Sequence, residues 1–162
     1  MSTNKAHSNQ EAFLTNTYNK QQFINLLSEH LQKLGHTVVN CTDDADTKIA
    51  LTAVEYARSK APVTVVADDT DVLFLLVHHF ENRFDDIYFR SEKASKTWSI
   101  RDIDQTISPV ARENILFLHA WSGCDTTSAI YDQGKASLTK KIQSSKLLQA
   151  LAKRIGDPLA TE

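Results

Sequence analysis

Hydrophobic residues in the first part of the chain alternate between helical and extended spacing. Apolar side chains recur on one face of residues 19–34, and Gly35 follows as a helix stop, so this segment predicts an amphipathic helix. The β-branched run at residues 36–41 predicts a strand, and residues 43–59 predict a second amphipathic helix. Residues 63–67 read Val-Thr-Val-Val-Ala, which predicts a strand buried on both faces, as in a parallel sheet.

The same alternation continues through the second part of the chain. A short apolar run predicts a buried helix over residues 72–80, and aromatic and β-branched residues predict strands at 86–89 and 98–100. The remaining apolar periodicity predicts helices over residues 101–107, 110–121 and 137–155. Strands that alternate with helices indicate an α/β domain with a mostly parallel sheet.

Composition places the chain among globular proteins. It has 162 residues, of which 41% are hydrophobic and 23% are charged. This size predicts a single domain over residues 19–155, with a polar leader at 1–18 and a tail at 156–162. The net charge of −2 gives no general attraction to nucleic acid.

Neither a membrane anchor nor a cysteine framework is predicted. No apolar run approaches the roughly 20 residues that a membrane helix needs. Cys41 and Cys124 lie too far apart in sequence for a CxxC-type metal site. We interpret them as free thiols in a reducing compartment, which predicts a nuclear or cytoplasmic location inside the cell.

Aspartates follow the predicted strands and the apolar helix. One group lies after each of the first two strands, and the third follows the helix that ends near Trp121, so the candidate residues are Asp44, Asp46, Asp69, Asp71 and Asp125. Ligand sites in parallel sheets gather beyond the carboxyl ends of the strands. His119, close to the third group, is interpreted as a packing or capping residue.

Spacing decides whether these carboxylates can meet. Asp44 and Asp46 converge only at a helix start, whereas Asp69 and Asp71 share a face if strand geometry persists through them. Crowded carboxylates stay ionised only beside a cation, and all-oxygen ligand sets favour Mg²⁺ or Mn²⁺. The alternative for each pair alone is helix capping and turn formation.

The C-terminal part of the chain is basic. Residues 133–155 contain no acidic residue, and a helix start after Gly134 offers backbone N–H groups to phosphate. The candidate nucleic-acid contacts are Lys135, Lys140, Lys141, Thr126 and Thr127. A solvated helix face and a capped turn are the alternatives for these residues.

Three segments together resemble a known family. DDADTKIALTA, VTVVADDTDVLFLL and FLHAWSGCDTTSAI, within about residues 36–142, resemble the nuclease core of the flap endonuclease-like branch of the PIN-like superfamily. The stretch HAWSGCDTTSAIYDQGK is especially similar to a group of animal proteins, often associated with mobile elements, that carry this core. The resemblance implies a three-layer α/β/α fold and a nuclease that hydrolyses structured DNA or RNA with two Mg²⁺ or Mn²⁺ ions. It implies that the five aspartates named above are the metal ligands and catalytic residues.

The sequence also departs from that family. The family core begins with an interior strand that carries another metal-binding Asp, and nothing before Asn19 matches it. The glycine-rich hairpin after the third motif is reduced to Gly134 and Lys135. These departures predict a truncated or degenerate copy that lacks the first strand.

Two other functions stay open. The first is a catalytically inactive PIN-like module that binds nucleic acid or a protein. The second is a phosphohydrolase in which Asp69 attacks phosphorus and Asp71 is the acid/base, which leaves Asp44 and Asp46 without a role.

Overall fold

The computed structural model describes residues 15–42, 44–123 and 135–156. The chain divides into two compact units, Met1–Asp43 and Asp44–Glu162. The first unit contains one described helix, α1 (Thr17–Lys33), which confirms the helix predicted over residues 19–34. Asn16 begins it as the N-cap, because its side chain accepts hydrogen bonds from the next two free backbone N–H groups.

The strand predicted at residues 36–41 is wrong. Residues 36–41 have no regular secondary structure and are largely exposed. The segment bonds to α1: the His36 N–H donates to the Leu31 carbonyl, and the Asn40 side chain accepts from the Ser28 hydroxyl at 3.0 Å. A β-branched run becomes a strand only when a neighbouring strand pairs with it, and β propensity alone does not provide that partner.

The second unit contains all the strands of the described residues. Its elements in chain order are α2 (Ala45–Arg58), β1 (Val63–Val66), α3 (Thr70–His79), β2 (Ile87–Ser91), β3 (Lys96–Ser99), α4 (Ile100–Thr106), α5 (Pro109–Glu113), α6 (Ile115–Trp121), α7 (Lys135–Ser144) and α8 (Lys146–Gly156). The predicted α/β class is therefore confirmed. None of the described helices is long and apolar enough to cross a membrane.

The strands form a small mixed sheet in the order β1-β2-β3. β1 pairs with β2 in parallel, with Val63 opposite Ile87, and β2 pairs with β3 in antiparallel fashion, with Tyr88 opposite Ser99. The prediction of a mostly parallel sheet therefore holds for the β1–β2 pair alone. A short turn joins β2 to β3, and such a turn permits only an antiparallel pair.

One face of the sheet forms the main core. Val65, Ile87 and Phe89 are buried there and pack with the apolar faces of α2 and α3. On the other face, the side chains of β1 and β2 are exposed, including Val66 at 59%. The prediction that β1 is buried on both faces is therefore wrong, because its side chains alternate between the core and solvent.

Two predicted long helices are each divided by a polar residue. Asn114 separates α5 from α6, and its side-chain amide donates to the Val110 carbonyl at 2.7 Å. Ser145 separates α7 from α8, where its hydroxyl accepts from the Leu148 N–H at 3.3 Å. Side-chain bonds of this kind compete with the helical pattern and favour a new helix start.

A second apolar cluster joins the last four helices. It is centred on Ala111, Leu118, Ile142 and Ala152, and Phe74 of α3 packs against both this cluster and the main core. Ile107, which follows α4, also packs against both clusters, so α3 and this residue link the sheet to the C-terminal helices.

Candidate metal centre

Three of the predicted aspartates lie together. Asp46, Asp69 and Asp71 each offer a carboxylate oxygen, and these oxygens all lie within 4.8 Å of one another. Asp71 is buried at 6% exposure, Asp46 is half-buried and Asp69 is exposed. The cluster is thus open to solvent on one side and closed on the other.

Asp69 and Asp71 lie close together because both are at the start of α3. α3 begins at Thr70, so strand geometry does not persist through this segment and the condition for a shared strand face is not met. Asp69 is the N-cap of α3, and its Oδ1 accepts from the Asp71 N–H at 2.9 Å. The bond holds both carboxylates at the positive end of the helix dipole.

The start of α2 repeats this construction. Asp44 is the N-cap and Asp46 is two residues further on, in the first turn. This confirms the prediction that the pair lies at a helix start. Because α2 packs along α3, the Asp46 carboxylate reaches the carboxylates of Asp69 and Asp71.

Asp44 itself does not join the three clustered carboxylates. Its Oδ1 accepts from the Asp46 N–H at 3.2 Å, and its Oδ2 accepts from the N–H and the hydroxyl of Thr47. These hydrogen bonds, above all the one from the Thr47 hydroxyl, hold the pKa of Asp44 below its ordinary value of 3.8. Capping therefore accounts for both oxygens of Asp44.

Asp68 directly precedes Asp69 in the chain, but its carboxylate has different partners. Its carboxylate accepts from the Ser91 hydroxyl at 2.6 Å and from the Lys93 N–H at 3.0 Å. The Ser91 bond is the main cause of the lowered pKa of Asp68. Asp68 thus connects the end of β1 to the turn between β2 and β3.

His119 faces the cluster from α6. Its Nδ1 lies 3.6 Å from Asp71 Oδ1, and its ring centroid lies 6.2 Å from that of Phe74. Nδ1 is buried and has no hydrogen-bond partner within the described part of the chain. From the sequence, His119 is interpreted as a packing or capping residue, and its place one turn before Gly123 is the available signal for a role at this site.

The remaining predicted site residues are distributed around this centre. Lys140 and Lys141 are exposed on α7, and Lys135 is the first residue of that helix. Asp125, Thr126 and Thr127 lie outside the described residues. The role of each of these six residues stays a prediction.

The chemistry of the cluster fits a hard divalent cation. All its donors are carboxylate oxygens, the ligands that Mg²⁺ and Mn²⁺ prefer. Three carboxylates at this separation repel one another, and the start of α3 compensates only part of that charge. A cation would remove the repulsion.

The C-terminal helices form a separate cleft of about 540 Å³. It is mainly apolar, lined by residues such as Leu116, Phe117 and Trp121. None of the three clustered aspartates lines it, so it does not contribute to the candidate metal centre.

Comparison of the chain with protein-family models, curated proteins and solved structures finds no match.

Proposed function

We propose that the chain is a metal-dependent nuclease with a PIN-like arrangement that hydrolyses phosphodiester bonds in structured DNA or RNA. The observation that supports this most directly is the convergence of Asp46, Asp69 and Asp71 within 4.8 Å. In the proposal these three residues hold Mg²⁺ or Mn²⁺. Asp125 completes a two-ion site, as the family resemblance implies.

Bound divalent ions would supply an activated water for attack and stabilise the charge on the leaving oxygen. The protein contributes position and charge. Asp71 is buried and therefore restricted in rotation, and Asp69 is oriented by its capping bond to the Asp71 N–H. The exposed Lys140 and Lys141 contact substrate phosphates.

The third carboxylate separates this proposal from the phosphohydrolase alternative. An Asp nucleophile at position 69 would need Asp71 as acid/base but gives no role to Asp46, which lies within 4.8 Å of both. That alternative predicts a covalent phosphoryl group on Asp69 during turnover of a chromogenic phosphate monoester. The nuclease proposal predicts none.

The first test measures metal binding. Mn²⁺ titration by calorimetry compares the wild type with Asp69→Asn, Asp71→Asn and the matched control Asp44→Asn. Asp44 and Asp69 are both N-caps, and asparagine retains the cap, so the helix starts are preserved. We expect binding in the wild type and Asp44→Asn, and a loss of at least about tenfold in the other two variants. Equal binding by Asp69→Asn would contradict the assignment.

The second test measures cleavage. Hairpin, flap and single-stranded DNA and RNA are incubated with Mg²⁺ or Mn²⁺ and each of the four proteins. We expect metal-dependent cleavage by the wild type and Asp44→Asn, and none by Asp69→Asn or Asp71→Asn. A wild type that binds Mn²⁺ and one of these nucleic acids, but cleaves none of the nucleic acids tested, would instead support the inactive binding module.

A further inference from the structure

The packing of α6 against α3 places a histidine behind one carboxylate of the metal centre. Asp71 and Phe74 are three residues apart on α3 and therefore lie on one face of that helix. His119 of α6 contacts this face, with its ring near Phe74 and its Nδ1 near Asp71. The contact lies on the buried side of the cluster, since the side chains of Asp71 and His119 are 9% and 14% exposed.

The Nδ1 atom of His119 is buried without a hydrogen-bond partner in the described residues. At 3.6 Å, its separation from Asp71 Oδ1 is too long for a hydrogen bond. This separation exceeds the length of an N–H···O hydrogen bond by less than 1 Å, so a small rotation of the His119 side chain would bring Nδ1 within hydrogen-bond distance. Buried polar atoms in native proteins are normally satisfied, so this nitrogen points to an interaction completed when the centre is occupied.

His119 is not itself among the side chains whose ligand atoms gather within 4.8 Å. It therefore lies outside the three-carboxylate set and reaches it through Asp71. We propose that His119 is a positioning residue for Asp71: its Nδ1–H donates a hydrogen bond to the Asp71 carboxylate and orients the other oxygen toward the cation. This inference rests on the proposed metal centre.

Metal-ligating carboxylates are themselves held by hydrogen bonds from a surrounding set of residues, whose loss lowers metal affinity by about 10–100-fold. The competing role for His119 is ring packing against Phe74 alone. A packing role requires only a ring at position 119, whereas a positioning role requires a hydrogen-bond donor at the Nδ1 position. Phenylalanine keeps the ring and removes the nitrogen, whereas asparagine removes the ring and keeps an amide nitrogen near the Nδ1 position.

The experiment titrates Mn²⁺ by calorimetry into full-length wild type, His119→Phe, His119→Asn and His119→Gln. The Gln amide nitrogen falls near the Nε2 position, so it controls for polarity without the donor at Nδ1. His79→Asn is the matched control, because His79 lies at the opposite end of α3 from Asp71. Melting in EDTA reports the stability of each variant without metal.

We expect His119→Phe and His119→Gln to weaken Mn²⁺ binding about 10–100-fold and His119→Asn to stay within about threefold of the wild type. His79→Asn should bind Mn²⁺ as the wild type does. Metal affinities that follow the EDTA melting temperatures instead of the presence of the Nδ1 donor would show a packing role and overturn the inference.

Two failures are distinguishable. A wild type that binds no Mn²⁺ overturns the proposed function and this inference together. A wild type that binds Mn²⁺ while His119→Phe binds equally well overturns only the inference.

Discussion

The three aspartates that follow β1 lie within four residues of one another, yet each does something different. Asp68 connects β1 to the turn after β2, Asp69 caps α3, and Asp71 is buried beside His119. Of the three, only Asp69 and Asp71 share the space around a candidate cation. The chemical role of a carboxylate is therefore determined by what its oxygens contact, and one position along the chain changes it completely.

The burial of Asp71 leads to a prediction about stability. Without metal, Asp71→Asn should raise the free energy of unfolding, because it removes a buried charge beside two other carboxylates. In millimolar Mn²⁺ the order should reverse, since only the wild type gains from binding the ion. Urea unfolding with EDTA and with Mn²⁺ measures both differences.

The control for that experiment is Asp68→Asn, which lies outside the cluster. It should destabilise the protein equally in both buffers, because Asp68 accepts two hydrogen bonds that are unrelated to metal. A stability difference for Asp71→Asn that is the same with and without Mn²⁺ would contradict a metal role for Asp71.

At the scale of elements, two helices end with the same motif. In α1 the N–H of His36 bonds to the Leu31 carbonyl, and the residue before it, Gly35, has φ of +85°. In α2 the N–H of Ala61 bonds to the Tyr56 carbonyl. The corresponding residue there is Lys60, with φ of +58°. A side chain is strained in this conformation, and glycine is not.

This pair gives opposite predictions for two substitutions. Gly35→Ala should destabilise α1 by about 1 kcal/mol, because alanine must adopt positive φ although no neighbouring atom obstructs it. Lys60→Gly should stabilise the second unit by up to about 1 kcal/mol. Circular dichroism melting curves measure both, and a lower melting temperature for Lys60→Gly would show that the positive φ does not strain Lys60.

At the scale of the whole molecule, Arg112 of α5 connects distant parts of the chain. Its guanidinium donates to the carbonyls of His78 and Phe80 and pairs with Asp104. The charge lies close to the imidazoles of His78 and His79 at the end of α3. Burial, and then the neighbouring positive groups, lower the pKa of both imidazoles below the ordinary 6.5.

The lowered pKa values predict how stability depends on pH. These two imidazoles bind protons more readily in the unfolded chain than in the folded one. Their contribution to the free energy of unfolding is therefore fully present above pH 6.5, where both are neutral. It decreases as the pH falls from 6.5 toward the lowered folded-state pKa. Between pH 7 and pH 5 the wild type should therefore lose more stability than the double variant His78→Gln/His79→Gln.

Urea unfolding at several pH values tests this difference. The comparison between the two proteins cancels the protonation of carboxylates, which both share. Parallel curves for the wild type and the double variant would show that these histidines do not control acid stability.

The sequence by itself determined the features that depend on neighbours along the chain. Apolar periodicity identified α1 and α2, a short apolar run identified α3, the β-branched content identified β1, and Gly35 marked the end of a helix. The helix start at Asp44 was also predictable, because an N-cap bonds to N–H groups only two and three residues away. Local geometry needs no knowledge of the fold.

Only the tertiary structure decided the features that depend on distant partners. Residues 36–41 do not form a strand because pairing requires a partner, and β3 is antiparallel because its connection to β2 is short. The contact of α2 with α3 selects Asp46 for the cluster and leaves Asp44 outside it, and the contact of α3 with α6 places His119 against Asp71. Sequence spacing cannot distinguish these outcomes, because helix packing sets the distances between residues far apart in the chain.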